Sequence, residues 1–152
     1  MPEDDPAHAI PMQLTLRSQL DELARVSQWV ETLTHAYAIP NDTRYSMELC
    51  LEEALANVIR HGYRGDADQT VVVKFERRGE REFAFSIEDS APHFRPFDPD
   101  EPPQEAEAVN LEDIVPGGHG IRLMRKFASS VEWAPLEPGN RLSLGFVVPN
   151  AG

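Results

Sequence analysis

Cysteine is nearly missing from this chain of 152 residues, where Cys50 stands alone. One thiol cannot close an intramolecular disulfide, so the sequence gives no sign of an oxidising compartment. Its place on an apolar helix face reads as a small core residue. Positive charge is scarce as well. Fourteen Lys and Arg against 26 Asp and Glu leave a net charge of −12, which argues against nucleic acid as a partner because such binders need a basic footprint. An anionic ligand must then be met by local devices: a helix N-terminus, a metal ion, or a few Arg and Lys side chains. Long apolar runs are missing too, so no membrane span is expected. The N-terminus (Met1-Pro2-Glu3-Asp4-Asp5) is acidic where a signal peptide would be basic and then apolar, and the expected location is cytoplasmic.

What is present fits one domain with a core of its own. Residues 1–9 read as a flexible tail and residues 10–150 as a single domain. Alternation of Ile10, Met12, Leu14 and Leu16 predicts a first strand. Ser18 is the predicted N-cap of a helix to about residue 38, with Leu20, Leu23, Val26, Val30 and Leu33 at helical spacing. Pro40-Asn41-Asp42 breaks it, and a second helix runs to about His61, ended by Gly62. Residues 70–76 and 82–88 read as two strands of a hairpin around Arg78-Gly79-Glu80. A third helix starts near Gly118–Gly120, and residues 130–134 and 141–148 are two closing strands with Glu137-Pro138-Gly139-Asn140 as their turn. Between them, residues 91–116 carry six of the thirteen prolines and little periodic apolar signal, as expected of a functional loop. The order predicts an α+β two-layer sandwich, with helices packed on one face of a mixed, mostly antiparallel sheet.

Chemistry gathers at three places. On the second helix, Glu53 and Asn57 lie one turn apart. At about 100° per residue, Asn57 falls about 40° from Glu53, and both border the apolar stripe of Met47, Cys50, Ala54, Leu55 and Val58. Glu52 points about 100° the other way, into solvent. The geometry therefore selects Glu53 as the carboxylate facing a partly buried site. The plainer reading is a border Glu paired with Arg60. Asn is unfavourable inside a helix, so either a metal or a neighbouring loop rewards its carboxamide.

The second place is Gly117-Gly118-His119-Gly120-Ile121, opening the third helix. Glycines let backbone approach a ligand, and exposed N–H groups at a helix start favour an anion. Arg122, Arg125 and Lys126 add positive charge where the helix dipole does not call for it. The segment is neither a Walker P-loop nor a Rossmann fingerprint, and a plain hinge is the competing reading. The third place is Asp89, at a predicted strand end in Ile87-Glu88-Asp89-Ser90-Ala91. It either accepts from an exocyclic amine or caps the following turn.

Taken in order, these motifs resemble the ATP-binding superfamily of gyrase and the histidine kinases, and within it the bacterial anti-sigma-factor serine kinases. Residues 52–63 resemble that family's N-box, which implies Glu53 as general base and Asn57 as Mg²⁺ ligand. Residues 87–91 resemble the box whose Asp recognises the adenine amino group, here Asp89, although Ala91 stands where the family has glycine. Gly117, Gly118, His119, Gly120 and Ile121 resemble the box that closes over the phosphates, and Asn140-Arg141-Leu142-Ser143-Leu144 resembles the last strand. The resemblance covers residues 10 to 148. It implies ATP and Mg²⁺ as cofactors, phosphorylation of a serine on an anti-sigma-factor antagonist, sequestration of a sigma factor, a homodimer, and a lid at about 91–116. A switch that grips a regulator without phosphorylating it is the competing class, and Ala91 favours it. A metal hydrolase built on His61, His93 and His119 lacks ligand spacing.

Overall fold

A computed structural model describes residues 10–92 and 120–149. The chain runs through β1 (Gln13–Arg17), a 3-10 turn (Leu20–Glu22), α1 (Leu23–Ala36) and α2 (Asn41–Asn57), which passes into a π-turn (Val58–Gly62). There follow β2 (Thr70–Arg77), β3 (Glu82–Asp89), α3 (Gly120–Phe127), β4 (Ser130–Pro135) and β5 (Asn140–Val147). The predicted tail at 1–9 and almost all of the predicted lid lie outside the described residues.

The five strands form one sheet in the order β1-β2-β3-β5-β4. The expected α+β sandwich on a mixed, mostly antiparallel sheet is seen, and among the described strands every pairing is antiparallel. Strand β4 does run in the direction of β3, but β5 lies between them and no parallel ladder forms. Period-two alternation separates the two faces. Val71, Val73 and Phe75 of β2, Phe83, Phe85 and Ile87 of β3, and Leu142, Leu144 and Phe146 of β5 all lie buried against the helices. The register aligns them row by row, with Phe75 opposite Phe85 and Phe85 opposite Leu144. Helix α1 supplies Val26, Trp29, Val30 and Leu33, and α2 supplies Met47, Cys50, Leu51, Ala54 and Leu55. Trp29 meets Phe85 edge-on at 5.7 Å between ring centroids, and such side chains stabilise the fold by about 1.5–3 kcal/mol each. The opposite face of the sheet is polar, with Glu88 shared between Lys74 at 3.2 Å and Arg141 at 2.9 Å.

Two predicted boundaries move. The first strand begins at Gln13 rather than Ile10, because Pro11 has no N–H for the ladder. Its carbonyl instead accepts the Trp29 Nε1–H at 2.8 Å. Ser18 does not cap α1: its hydroxyl donates to the Asp66 carbonyl and accepts the Gln69 N–H at 3.1 Å. The chain therefore turns first through residues 20–22, and α1 starts at Leu23. Cys50 is fully buried, and burial, then the nearby Glu53 charge, push its thiol up to about 12. It is an inert core residue. Among the described residues no helix is long and apolar enough to cross a membrane.

Candidate functional site

The helical face that buries Met47, Cys50 and Ala54 carries Glu53 and Asn57 along its border. Glu52 is exposed, Glu53 is half-buried, and Asn57 is 6% exposed. Both inward groups carry a buried acceptor oxygen. Among the described residues, Glu53 Oε2 and Asn57 Oδ1 are buried and have no hydrogen-bond partner. An orphaned buried acceptor costs about 1–3 kcal/mol, so two of them one helical turn apart ask for a donor or a cation. Burial pushes the Glu53 carboxyl up, and the Arg60 charge partly restores it. Glu52 also rises, by desolvation and by the charges of Glu48 and Glu53.

The hard oxygen of Asn57 suits Mg²⁺, which takes few protein ligands and leaves the rest to water and phosphate oxygens. Among the described residues no cluster of three His, Cys, Asp or Glu could hold a metal unaided. The chain's own donor set thus fits an ion delivered with its phosphates, and gives no support to the three-histidine reading. His61 is exposed, and His93 and His119 lie outside the described residues.

Asp89 closes β3 on the inner face, two residues beyond Ile87 and in the same alternation. It is 6% exposed. Its Oδ1 accepts the Ala91 N–H and the Asn140 Nδ2–H, each at 2.9 Å. Burial raises its pKa, and these two hydrogen bonds pull it back. Of the two readings of Asp89, the turn cap is seen at Oδ1, and among the described residues no hydrogen bond engages Oδ2. Ala91 does not crowd this turn. Its methyl is buried in the core cluster, and its backbone lies outside the left-handed region that would demand glycine.

Several contributors were not singled out from the sequence. Asn140 stands opposite Asp89 in the β3–β5 register and is 2% exposed. Its Oδ1 accepts the Trp133 Nε1–H at 3.2 Å. Tyr63 donates its hydroxyl to the Thr70 carbonyl and accepts the Ser90 N–H, both at 2.7 Å. It thereby joins the π-turn after Asn57 to the turn after Asp89, linking two parts of the site. Gly139 comes so close that a Cβ there would lie 1.8 Å from the Asp89 carbonyl oxygen. The available signal was the strand period: counting back by twos from Leu144 and Leu142 puts Asn140 on the inner face.

Gly120 opens α3, which includes Ile121 and packs against α2 through buried Leu123 and Met124. Gly117, Gly118 and His119 lie outside the described residues.

Comparison with known proteins bears on the fold and the family. The histidine kinase-like ATPase domain family matches residues 16–146. A curated relative, the serine/threonine-protein kinase BtrW of Bordetella bronchiseptica, is 32% identical over 101 residues, covering 66% of this chain and 68% of that protein. Among solved structures, the RsbU and RsbW domains of Rv1364c from Mycobacterium tuberculosis share the fold with a TM-score of 0.58 at 13% identity, over 90% of this chain. This chain spans 31% of that longer protein. The chain belongs to the histidine kinase-like ATPase domain family, and it is similar there to a protein named as a serine/threonine-protein kinase.

Proposed function

We propose that this chain binds Mg-ATP and transfers the γ-phosphoryl group to a serine hydroxyl on an anti-sigma-factor antagonist. The pair of unpartnered buried acceptors on α2, Glu53 Oε2 and Asn57 Oδ1, carries the proposal. Kinship to a protein named as a serine/threonine kinase supports it. Asp89 accepts a hydrogen bond from the adenine amino group. Asn57 donates an oxygen to Mg²⁺, which when bound offsets charge on the phosphate oxygens. Glu53 receives the proton as the serine oxygen forms its bond to phosphorus and the bond to ADP breaks. Its carboxyl, pushed up by burial, is closer to the working pH than an ordinary glutamate and so better matched to that transfer. The glycine segment 117–120 and Ile121 meet the phosphates at the start of α3, and residues 91–116 form the lid. In the cell the same chain sequesters a sigma factor as a cytoplasmic homodimer.

The test is incubation with γ-labelled Mg-ATP and purified candidate antagonist domains. Label on an antagonist serine is expected, and it disappears when that serine is replaced by alanine. Nucleotide-dependent protection from proteolysis without phosphoserine would leave the nucleotide-responsive switch in its place. Absence of nucleotide binding would remove both.

A further inference from the structure

We infer that Trp133 and Asn140 are positioning residues that set base selectivity by fixing Asp89 as a hydrogen-bond acceptor. This rests on the nucleotide-binding reading above. The argument starts from what a carboxamide can do. Asn140 has one end that donates and one that accepts, and its neighbours differ in kind. Nδ2 faces Asp89 Oδ1 at 2.9 Å and the carbonyls of Ala91 and Pro92 at 3.4 and 3.3 Å. Oδ1 faces the Trp133 Nε1–H at 3.2 Å. Rotating the amide by half a turn would set oxygen against oxygen at Asp89 and donor against donor at Trp133. The indole on one side and the two carbonyls on the other together select the orientation in which Asn140 donates to the carboxylate.

That donation has a consequence at the other carboxylate oxygen. With Oδ1 held by Asn140 and by the Ala91 N–H, rotation of the carboxylate about its Cβ–Cγ bond is arrested and Oδ2 has a fixed direction. A fixed acceptor favours a base with an exocyclic amine and opposes one with a carbonyl at that place, which would leave two acceptors face to face. The selectivity is thus controlled from β4, an edge strand. Trp133 is half-buried there on the inner face, opposite Leu142 in the β4–β5 register.

The experiment compares ATP with ITP, which carries a carbonyl in place of the adenine amine. The unaltered protein is expected to prefer ATP. Trp133→Phe keeps the ring packing and removes the donor, and is expected to cut that preference about threefold to tenfold. Asn140→Leu cuts it at least as far. A second reading uses the unaltered protein alone. In a ¹⁵N–¹H spectrum ATP is expected to move the Trp133 indole resonance, and ITP to move it less. The Trp29 indole, bonded to the Pro11 carbonyl, should stay in place and serves as the internal control. An unchanged ATP preference in Trp133→Phe, or a Trp133 resonance that ATP moves no further than that of Trp29, overturns the inference and leaves nucleotide binding intact. Failure of the unaltered protein to bind either nucleotide removes the nucleotide reading and this inference with it.

Discussion

Glu53→Gln is expected to slow phosphoryl transfer about a hundredfold to ten-thousandfold while Mg-ATP still binds with nearly unchanged affinity. The amide keeps the size and the helical position and loses only the ability to take a proton. The same change should leave the fold equally or more stable at pH 7. Burial raises the folded-state pKa of Glu53 above its ordinary value of 4.5. As pH climbs, the unfolded chain releases this proton first, so stability from this group falls between that value and the folded pKa. Glutamine removes that loss. A variant that is inactive, nucleotide-bound and no less stable has lost chemistry rather than structure, the trade expected of a functional group. Glu52→Gln is the companion measurement. Glu52 is exposed one position away, and its replacement should leave the rate close to that of the unaltered protein. Greater damage from Glu52→Gln would put the catalytic face on the other side of α2.

Gly139→Ala should have the largest effect on stability. Gly139 adopts φ +117, and a Cβ there would lie 1.8 Å from the Asp89 carbonyl oxygen and 2.8 Å from its carbon. Both are backbone atoms, so no side-chain rotation relieves the clash. Either the turn opens or the end of β3 moves, and Asp89 moves with it. A loss of about 2–4 kcal/mol in urea unfolding is expected from the overlap and the unfavourable φ together, accompanied by weaker ATP binding. Gly79→Ala provides the contrast. A Cβ at Gly79 would meet Glu82 at an ordinary 3.6 Å, and the smaller unfolded-state entropy makes the change neutral or mildly stabilising. Equal stability of the two variants would contradict the close packing of the β4–β5 turn against Asp89.

What could be read from sequence follows the range of the forces involved. Helical periodicity turned Glu53 inward and Glu52 outward because 100° per residue is a property of the local backbone. Ile87 and Asp89 share a face for the equally local reason of strand alternation. The start of α1 was misplaced because Ser18 satisfies groups at Asp66 and Gln69, about fifty residues away. No local rule could choose those over a helix cap. Asn140 escaped notice as a partner of Asp89 for the same reason, since the two meet only through the pairing of β3 with β5. Gly139 was legible as a turn residue, while its contact with Asp89 required the sheet to be assembled. The mostly antiparallel character of the sheet was legible, while the insertion of β5 between β3 and β4 was not, because the order of strands along the chain does not reveal their order in the sheet.

The central claim is an adenine-nucleotide pocket in which Asn57 serves the metal end and Asp89 the base end. Calorimetric titration with ATP, with and without Mg²⁺, tests it most directly. The account predicts saturable one-to-one binding that weakens about tenfold or more when Mg²⁺ is chelated, the scale of one lost charge-assisted contact. In Asn57→Ala the affinity should fall to the chelated level and no longer respond to Mg²⁺. In Asp89→Asn the Mg²⁺ response should persist on a weaker baseline. No binding by the unaltered protein, or an Asn57→Ala variant that keeps the full response to Mg²⁺, would contradict it.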